Sequence, residues 1–277
     1  MGWFKKLDRL TKDSISDATA VFAVLGTLAT IIGISLQQVI PGTLSLWALL
    51  VIVLAAYVLL VAAIRFMKHR LVKDGITLKI CGNSIIVKRG DLFSCSGWKV
   101  IPFNEYYDTK VDDVDISKAS LNGIFIERYT NDIEKLKFAI TTDSASTLPP
   151  PVKTEEGRMK YGLGTIKRFD GQYLVLAFTH FNDLNEAHLT MADYEQCLMH
   201  MWREIARVYA GKQVCIPLLG SGITRFDDFG EKTFQGLLRC LVCTLKASKL
   251  SFSAPIIFVL TEKCLKEVDL YELKGME

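Results

Sequence analysis

Between Ala18 and Ile64 the chain carries no charged residue, and this feature constrains the fold more than any other. A bilayer core of about 30 Å takes about 20 apolar residues of helix. The uncharged stretch exceeds one such helix and is divided by Gln37-Gln38-Val39-Ile40-Pro41-Gly42, whose Pro41-Gly42 is a turn pair. Two transmembrane spans are therefore predicted, about 18–36 and 43–64, forming a hairpin within residues 1–70. A secretory signal would show a shorter, less acidic start than Met1 to Asp17 and a small-residue cleavage site.

Basic residues set the orientation. Lys5, Lys6, Arg9 and Lys12 precede the first span, Arg65, Lys68, Arg70 and Lys73 follow the second, and the connecting loop has none. The positive-inside rule then puts both termini, and everything after the hairpin, in the cytoplasm of a bacterial cell, with the hairpin multi-pass in the inner membrane. Gly26, Ala29, Thr30 and Gly33 give the first span small-residue spacings that suit either a lipid face or a helix-packing face. Neither span holds an ionisable group, which argues against a charged path through the bilayer.

Residues 71–277 have soluble composition and suffice for one α/β domain. The net charge of +3 is too small, and too little clustered, for a nucleic-acid partner. The seven cysteines are expected reduced in the cytosol, and Cys240-x-x-Cys243 lies in a helical pattern without a second ligand pair, so it is assigned to core packing and no metal is expected.

Ile76–Ile80 and Ser84–Lys88, around Gly82-Asn83, read as a strand hairpin. Further strands are expected at Lys99–Phe103, Gly123–Glu127, Lys135–Ile140, Gln172–Phe178, Val214–Leu219 and Ile256–Leu260. Thr190 with Asp193 opens a helix that carries Tyr194, Leu198, Met201, Trp202, Ile205 and Val208 at helical period and stops at Gly211; a second covers roughly Asp228–Leu250. Strand and helix alternating in this way imply parallel pairing with right-handed crossovers.

Ligands of such sheets bind beyond the carboxyl ends of strands. There the chain places Leu218-Leu219-Gly220-Ser221-Gly222-Ile223-Thr224, whose glycines let the backbone turn sharply and offer N–H groups to an anion. It also places Gly90-Asp91-Leu92, where a carboxylate can accept from an exocyclic amine such as that of adenine. Each motif alone is commonly just a turn. His180 and His188 lack a nucleophile placed beside them by any motif and read as structural, while Glu105 and Tyr106-Tyr107 suit either a ligand's terminal group or a cover for the sheet edge.

The two motifs together, in a β/α chain of this length, resemble the macro-domain family over roughly Ile76 to Leu260. The resemblance implies a three-layer α/β/α domain with a mixed sheet. It also implies a site for an ADP-ribose-like nucleotide: Asp91 and the backbone of Leu92 at adenine, and Gly220, Ser221, Gly222, Ile223 and Thr224 around diphosphate and distal ribose. The family's Asn-Ala-Ala-Asn is replaced by Val100-Ile101-Pro102-Phe103-Asn104-Glu105, so that only Asn104 corresponds. Its glycine run is replaced by Ser117-Lys118-Ala119-Ser120-Leu121-Asn122-Gly123, which brings Ser120 into the candidate site. Loss of the residues that place water in hydrolytic members shifts the expectation from enzyme to binder, with no catalytic residue and no cofactor beyond the ligand.

Two spans ahead of a divergent macro domain are similar to the membrane effector of type II Thoeris antiphage defence. That likeness implies a signal made from NAD by a TIR-domain enzyme, histidine-ADP-ribose for this type, then ligand-induced self-assembly, attack on membrane lipid and abortive infection. A membrane-tethered ADP-ribosyl hydrolase and a passive reader of ADP-ribosylated partners stand as alternatives.

Overall fold

The computed structural model describes residues 9–31, 45–113, 116–182, 186–228 and 232–277. The chain divides into two compact units, one made of Met1–Asp74 with Leu270–Gly275, the other of Gly75–Asp269 with Met276–Glu277. The sequence had placed one boundary near residue 70; the short C-terminal segment grouping with the N-terminal helices is the difference.

In the first unit α1 (Arg9–Ile31) and α2 (Leu46–Val72) are both long and apolar enough to cross a membrane. Their apolar side chains face outward, with Ile31, Trp47 and Leu59 at least 70% exposed, as a lipid-facing surface requires. The helices run antiparallel. Thr19 and Tyr57 share a hydrogen bond of 2.9 Å, and Phe22 meets the Tyr57 ring edge-on at 5.5 Å. Both helices continue past the predicted spans into the charged flanks, because charged side chains there find partners: Arg65 Nε donates to Thr11 Oγ1 at 2.9 Å and Lys68 pairs with Asp17 at 2.7 Å. The short α8 (Leu270–Leu273) belongs to this unit, and Tyr271 Oη donates to Asp13 Oδ2 at 2.9 Å. The Gln37–Gly42 break, Thr43, Gly33, Lys5 and Lys6 lie outside the described residues.

The second unit is built on a nine-stranded mixed sheet. Its strands are β1 (Gly75–Ile80), β2 (Asn83–Arg89), β3 (Trp98–Asn104), β6 (Ile166–Phe169), β7 (Tyr173–Phe181), β8 (Ala187–Leu189), β9 (Val214–Pro217), β10 (Arg225–Phe226) and β11 (Ile256–Leu260). A separate hairpin is formed by β4 (Val152–Lys153) and β5 (Met159–Lys160). The order is β1-β2-β11-β9-β3-β7-β8-β10, with β6 antiparallel on β7. Strands β2, β11, β9, β3 and β7 are mutually parallel, so their carboxyl ends share one edge. The parallel pairing is as expected, although β3 lies between β7 and β9.

Helices α3 (Leu121–Tyr129), α4 (Ile133–Thr142), α5 (Met191–Val208), α6 (Phe234–Ser248) and α7 (Glu262–Glu267) complete the unit. Hydroxyl side chains cap most of them: Ser120 on α3, Thr190 on α5, Thr233 on α6 and Thr261 on α7. Thr190 and Asp193 form a full capping box.

Two predicted strands are helices. Gly123–Glu127 lies in α3 and Lys135–Ile140 in α4. The start signals decide it, since Ser120 accepts from Gly123 N and Asp132 from Lys135 N, both at 3.0 Å. Burial then follows helical spacing, at Asn122, Phe125 and Ile126, and at Leu136 and Ile140. The second long helix starts at Phe234 rather than near Asp228, where Thr233 caps it. The Cys240/Cys243 pair is less buried than core packing implied, Cys243 being exposed, and all described cysteines are free.

Candidate functional site

The shared carboxyl edge of the five parallel strands opens into a cavity of about 710 Å³, within the size range of small-molecule sites. Asp91, Leu92, Asn104, Ser120, Gly220, Ser221, Gly222, Ile223 and Thr224 all line it. Residues separated by more than a hundred positions are thus brought to one wall-to-wall space by the strand order.

At the β2 end, Gly90 N donates to Leu260 O at 3.1 Å and prolongs the ladder by one residue. Asp91 then caps a single 3₁₀ turn, its Oδ1 accepting from Phe93 N at 3.1 Å and its Oδ2 from Ser94 Oγ at 3.0 Å. Each oxygen keeps a further lone pair, and the side chain is exposed. Leu92 is buried beneath the turn.

After β9 the chain turns at Gly220, whose φ of 80° lies in the left-handed region; a Cβ there would also meet the Phe226 ring at 3.1 Å. Ser221 donates through both N and Oγ to Leu218 O, at 3.1 and 2.6 Å. Tyr194 Oη, fully buried, holds Leu219 O at 3.1 Å. Gly222 has nothing within 4 Å of a built Cβ, and Ile223 is 66% exposed. The loop therefore presents open backbone to the cavity.

The β3 end is different. Asn104 is buried, and its Oδ1 accepts from Tyr106 N at 3.1 Å and Asp108 N at 3.2 Å while its Nδ2 donates to Asp108 Oδ2 at 2.7 Å. The amide closes a turn that carries Tyr107 at φ 55°, an unusual conformation for a bulky residue that needs such support. Arg158 grips Asp108 with two contacts of 2.7 Å and stacks 3.9 Å over the Tyr106 ring. Glu105, almost fully buried, meets His180 Nδ1 at 2.6 Å and Lys160 Nζ at 3.2 Å. Burial pushes its carboxyl up, yet the His180 hydrogen bond and charge, with Lys160, outweigh that and hold it below the usual carboxylate range. Glu105 and Tyr107 are thus engaged within the scaffold, Tyr107 Oη donating to Thr165 O at 2.8 Å, while Tyr106 lies beneath Arg158.

Ser120 Oγ donates to Ser117 O at 2.6 Å besides capping α3. The same carbonyl would lie 2.3 Å from a Cβ at Gly123, so that glycine lets the Ser117–Ser120 loop fold over the helix. Neither His180 nor His188 lines the cavity; His188 pairs with Asp227 at 2.8 Å, in keeping with a structural role. Among the described residues no cluster of three or more His, Cys, Asp or Glu could hold a metal ion.

Sequence reasoning missed several lining residues. Asn122 is buried with its Oδ1 lacking a partner among the described residues. Lys263 brings positive charge, Arg225 is paired at 2.7 Å with Glu186 on the same lining, and Phe181 and Phe234 bring aromatic surface. Thr261 and Lys263 were within reach of the strand-end rule, applied after β11 as it was after β2 and β9. Asn122 lies within the Ser117–Gly123 segment, Arg225 directly follows the Gly220–Thr224 loop and Phe181 ends β7, so each adjoined a stretch already marked; Phe234, at the start of α6, left no such signal.

Residues 85–260 match the family described as Thoeris protein ThsA, Macro domain. The chain belongs to the ThsA macro-domain family. It is 34% identical over 244 residues to the Thoeris protein ThsA of Bacillus amyloliquefaciens (strain Y2), covering 83% of this chain and 79% of that protein. Among solved structures, a macrodomain mutant from Oceanobacillus iheyensis aligns with a TM-score of 0.44 at 13% identity, over 73% of this chain and 95% of that one. The ThsA macro-domain assignment makes this an antiphage defence protein of the Thoeris type, with a macro-like domain following two apolar helices.

Proposed function

We propose that this protein is a membrane-anchored receptor: its macro-like unit binds an ADP-ribose-derived signal made by a TIR-domain enzyme, self-assembles on binding, and damages the membrane through the α1–α2 hairpin. One observation carries the reading. Open backbone at Gly220–Thr224 and a carboxylate at Asp91 border one cavity, while Asn104, the residue that would correspond to the family's water-placing asparagine, spends its amide on its own loop. Binding is thereby favoured over hydrolysis, and histidine-ADP-ribose is the expected ligand.

Assembly follows only if ligand prefers the assembled state. A hundredfold preference is worth about 2.7 kcal/mol per subunit, which adds over subunits. The two apolar helices support anchoring in the bacterial inner membrane with both termini cytoplasmic.

Calorimetry of the detergent-solubilised full chain against ADP-ribose, NAD and histidine-ADP-ribose tests binding, and light scattering on the same samples tests assembly. Heat of binding with a ligand-dependent rise in mass is expected. No binding to any of the three overturns the receptor reading; turnover of an ADP-ribosylated protein, abolished by Asn104→Ala, would install the hydrolase in its place.

A further inference from the structure

The near side of the Gly220–Thr224 loop is held by Tyr194 and by Ser221, but its far side is held by a residue outside every motif. Lys232 Nζ donates to Gly222 O at 2.7 Å and to Thr224 O at 2.6 Å, and lies 5.9 Å from the centre of the Phe226 ring. Among the described residues no carboxylate pairs with it. Asp227 holds His188 and Asp228 accepts from Met191 N at 2.8 Å, while Glu231, next to Lys232 in the chain, lies outside the described residues. Among the described residues the ammonium is held by carbonyls and a ring. Its half-burial lowers its pKa, in keeping with that environment.

The peptide geometry gives this placement a direction. In a planar trans peptide the N–H points opposite to the C=O. The Gly222 carbonyl is drawn to Lys232, so the N–H of Ile223, in the same peptide, points away from the ammonium. Gly222 has free space around it and both residues line the cavity.

Building on the receptor reading, we propose that Lys232 is a positioning residue that sets the site's preference for a phosphorylated over an uncharged nucleoside. It turns the loop's carbonyls back and puts a positive charge behind the donors that remain. A diphosphate gains from that charge and from the turned donors, whereas the adenine end of the cavity, at Asp91 and Leu92, is indifferent to both.

The test uses the full chain in detergent, with ADP-ribose and adenosine as probes at low and moderate salt, and melting without ligand as the check on folding. Lys232→Met is expected to weaken ADP-ribose at least about tenfold, the range of a charge-assisted hydrogen bond. Adenosine affinity should hold within about twofold and Lys232→Arg should restore most of the loss, because the effect lies in charge and donors. The salt dependence of ADP-ribose binding should be shallower in Lys232→Met than in the wild type. Should the Met variant fail to melt cooperatively, Lys232→Gln takes its place with the same expectations. Equal losses for both probes, or unchanged ADP-ribose affinity, would overturn the role of Lys232 while leaving the receptor reading intact. A wild-type chain that binds neither probe, nor NAD or histidine-ADP-ribose, would instead sink the receptor reading itself.

Discussion

Two loops at the carboxyl edge of the sheet, following the neighbouring strands β3 and β9, are built on opposite plans. The Asn104–Asp108 loop closes on itself: amide, carboxylates, guanidinium and imidazole satisfy one another, and Arg158 and Lys160 reach in from the β4–β5 hairpin to finish the set. The Gly220–Thr224 loop keeps its side chains small and its backbone open, with Lys232 as its far support. A polar network that is already complete has little left to offer a reacting group, while unspent backbone donors in a half-enclosed space favour an anion. On the receptor reading, the contrast separates a loop that braces the site from a loop that grips the ligand.

Substitutions can break this contrast, starting with the largest effect. Gly123→Ala places a methyl carbon 2.3 Å from Ser117 O and 3.0 Å from Lys118 Cα, both backbone atoms. A cost of about 3 kcal/mol is expected from such overpacking, read as a lower melting temperature of the full chain, together with weaker ligand binding as the Ser117–Ser120 loop moves. An unchanged melt would show that this side yields as easily as the other.

Glu105→Gln tests the closed network through pH. The Glu105 carboxyl is held low in the folded protein, so its contribution is complete above the ordinary carboxylate value and disappears as pH falls through its own lower value. The substitution should cost about 2 kcal/mol at neutral pH, discounted from a fully buried pair because His180 and Lys160 are partly exposed. The deficit should shrink as the pH is lowered below the ordinary carboxylate range, and denaturant melts across that range measure it. A deficit independent of pH would remove the ion-pair explanation.

Arg158→Ala removes a two-pronged contact with Asp108 at the partly exposed rim, for which about 1 kcal/mol is expected. Gly222→Ala should change stability by less than about 0.5 kcal/mol, since nothing surrounds the new methyl group. Its effect should appear in ADP-ribose affinity, because the methyl would occupy the approach of ligand to backbone. Unaltered affinity in Gly222→Ala would remove the gripping role from this loop.

Much of this contrast was legible in the sequence, and the reasons are local. The apolar hairpin needs only length and charge. Thr190 with Asp193, the 3.6-residue period behind them and the glycine loop after β9 are each encoded within a few residues. The α3 and α4 segments misled because Gly123-Ile124-Phe125-Ile126 is short, apolar and glycine-led, and resembles a strand until Ser120 is recognised as its cap. Strand β10 exists only through β8, a partner from a distant segment, whereas β6 is the first arm of a tight hairpin with β7 around Asp170-Gly171 that is missing from the expected strands. The Asn104 turn closes within four residues, on Tyr106 and Asp108, but Arg158, which fixes Asp108, comes from a hairpin fifty residues away.

The hydroxyl caps have a consequence for timing. Ser120 and Thr261, the two that line the cavity, serve the starts of α3 and α7, and Ser221 gives its proton to Leu218 O. On the receptor reading these oxygens are occupied in holding the protein's own shape and leave the signal chemically intact. The molecule released is then the molecule received. The length of the response would follow how long the cell keeps making that signal, and switching it off becomes the task of another protein.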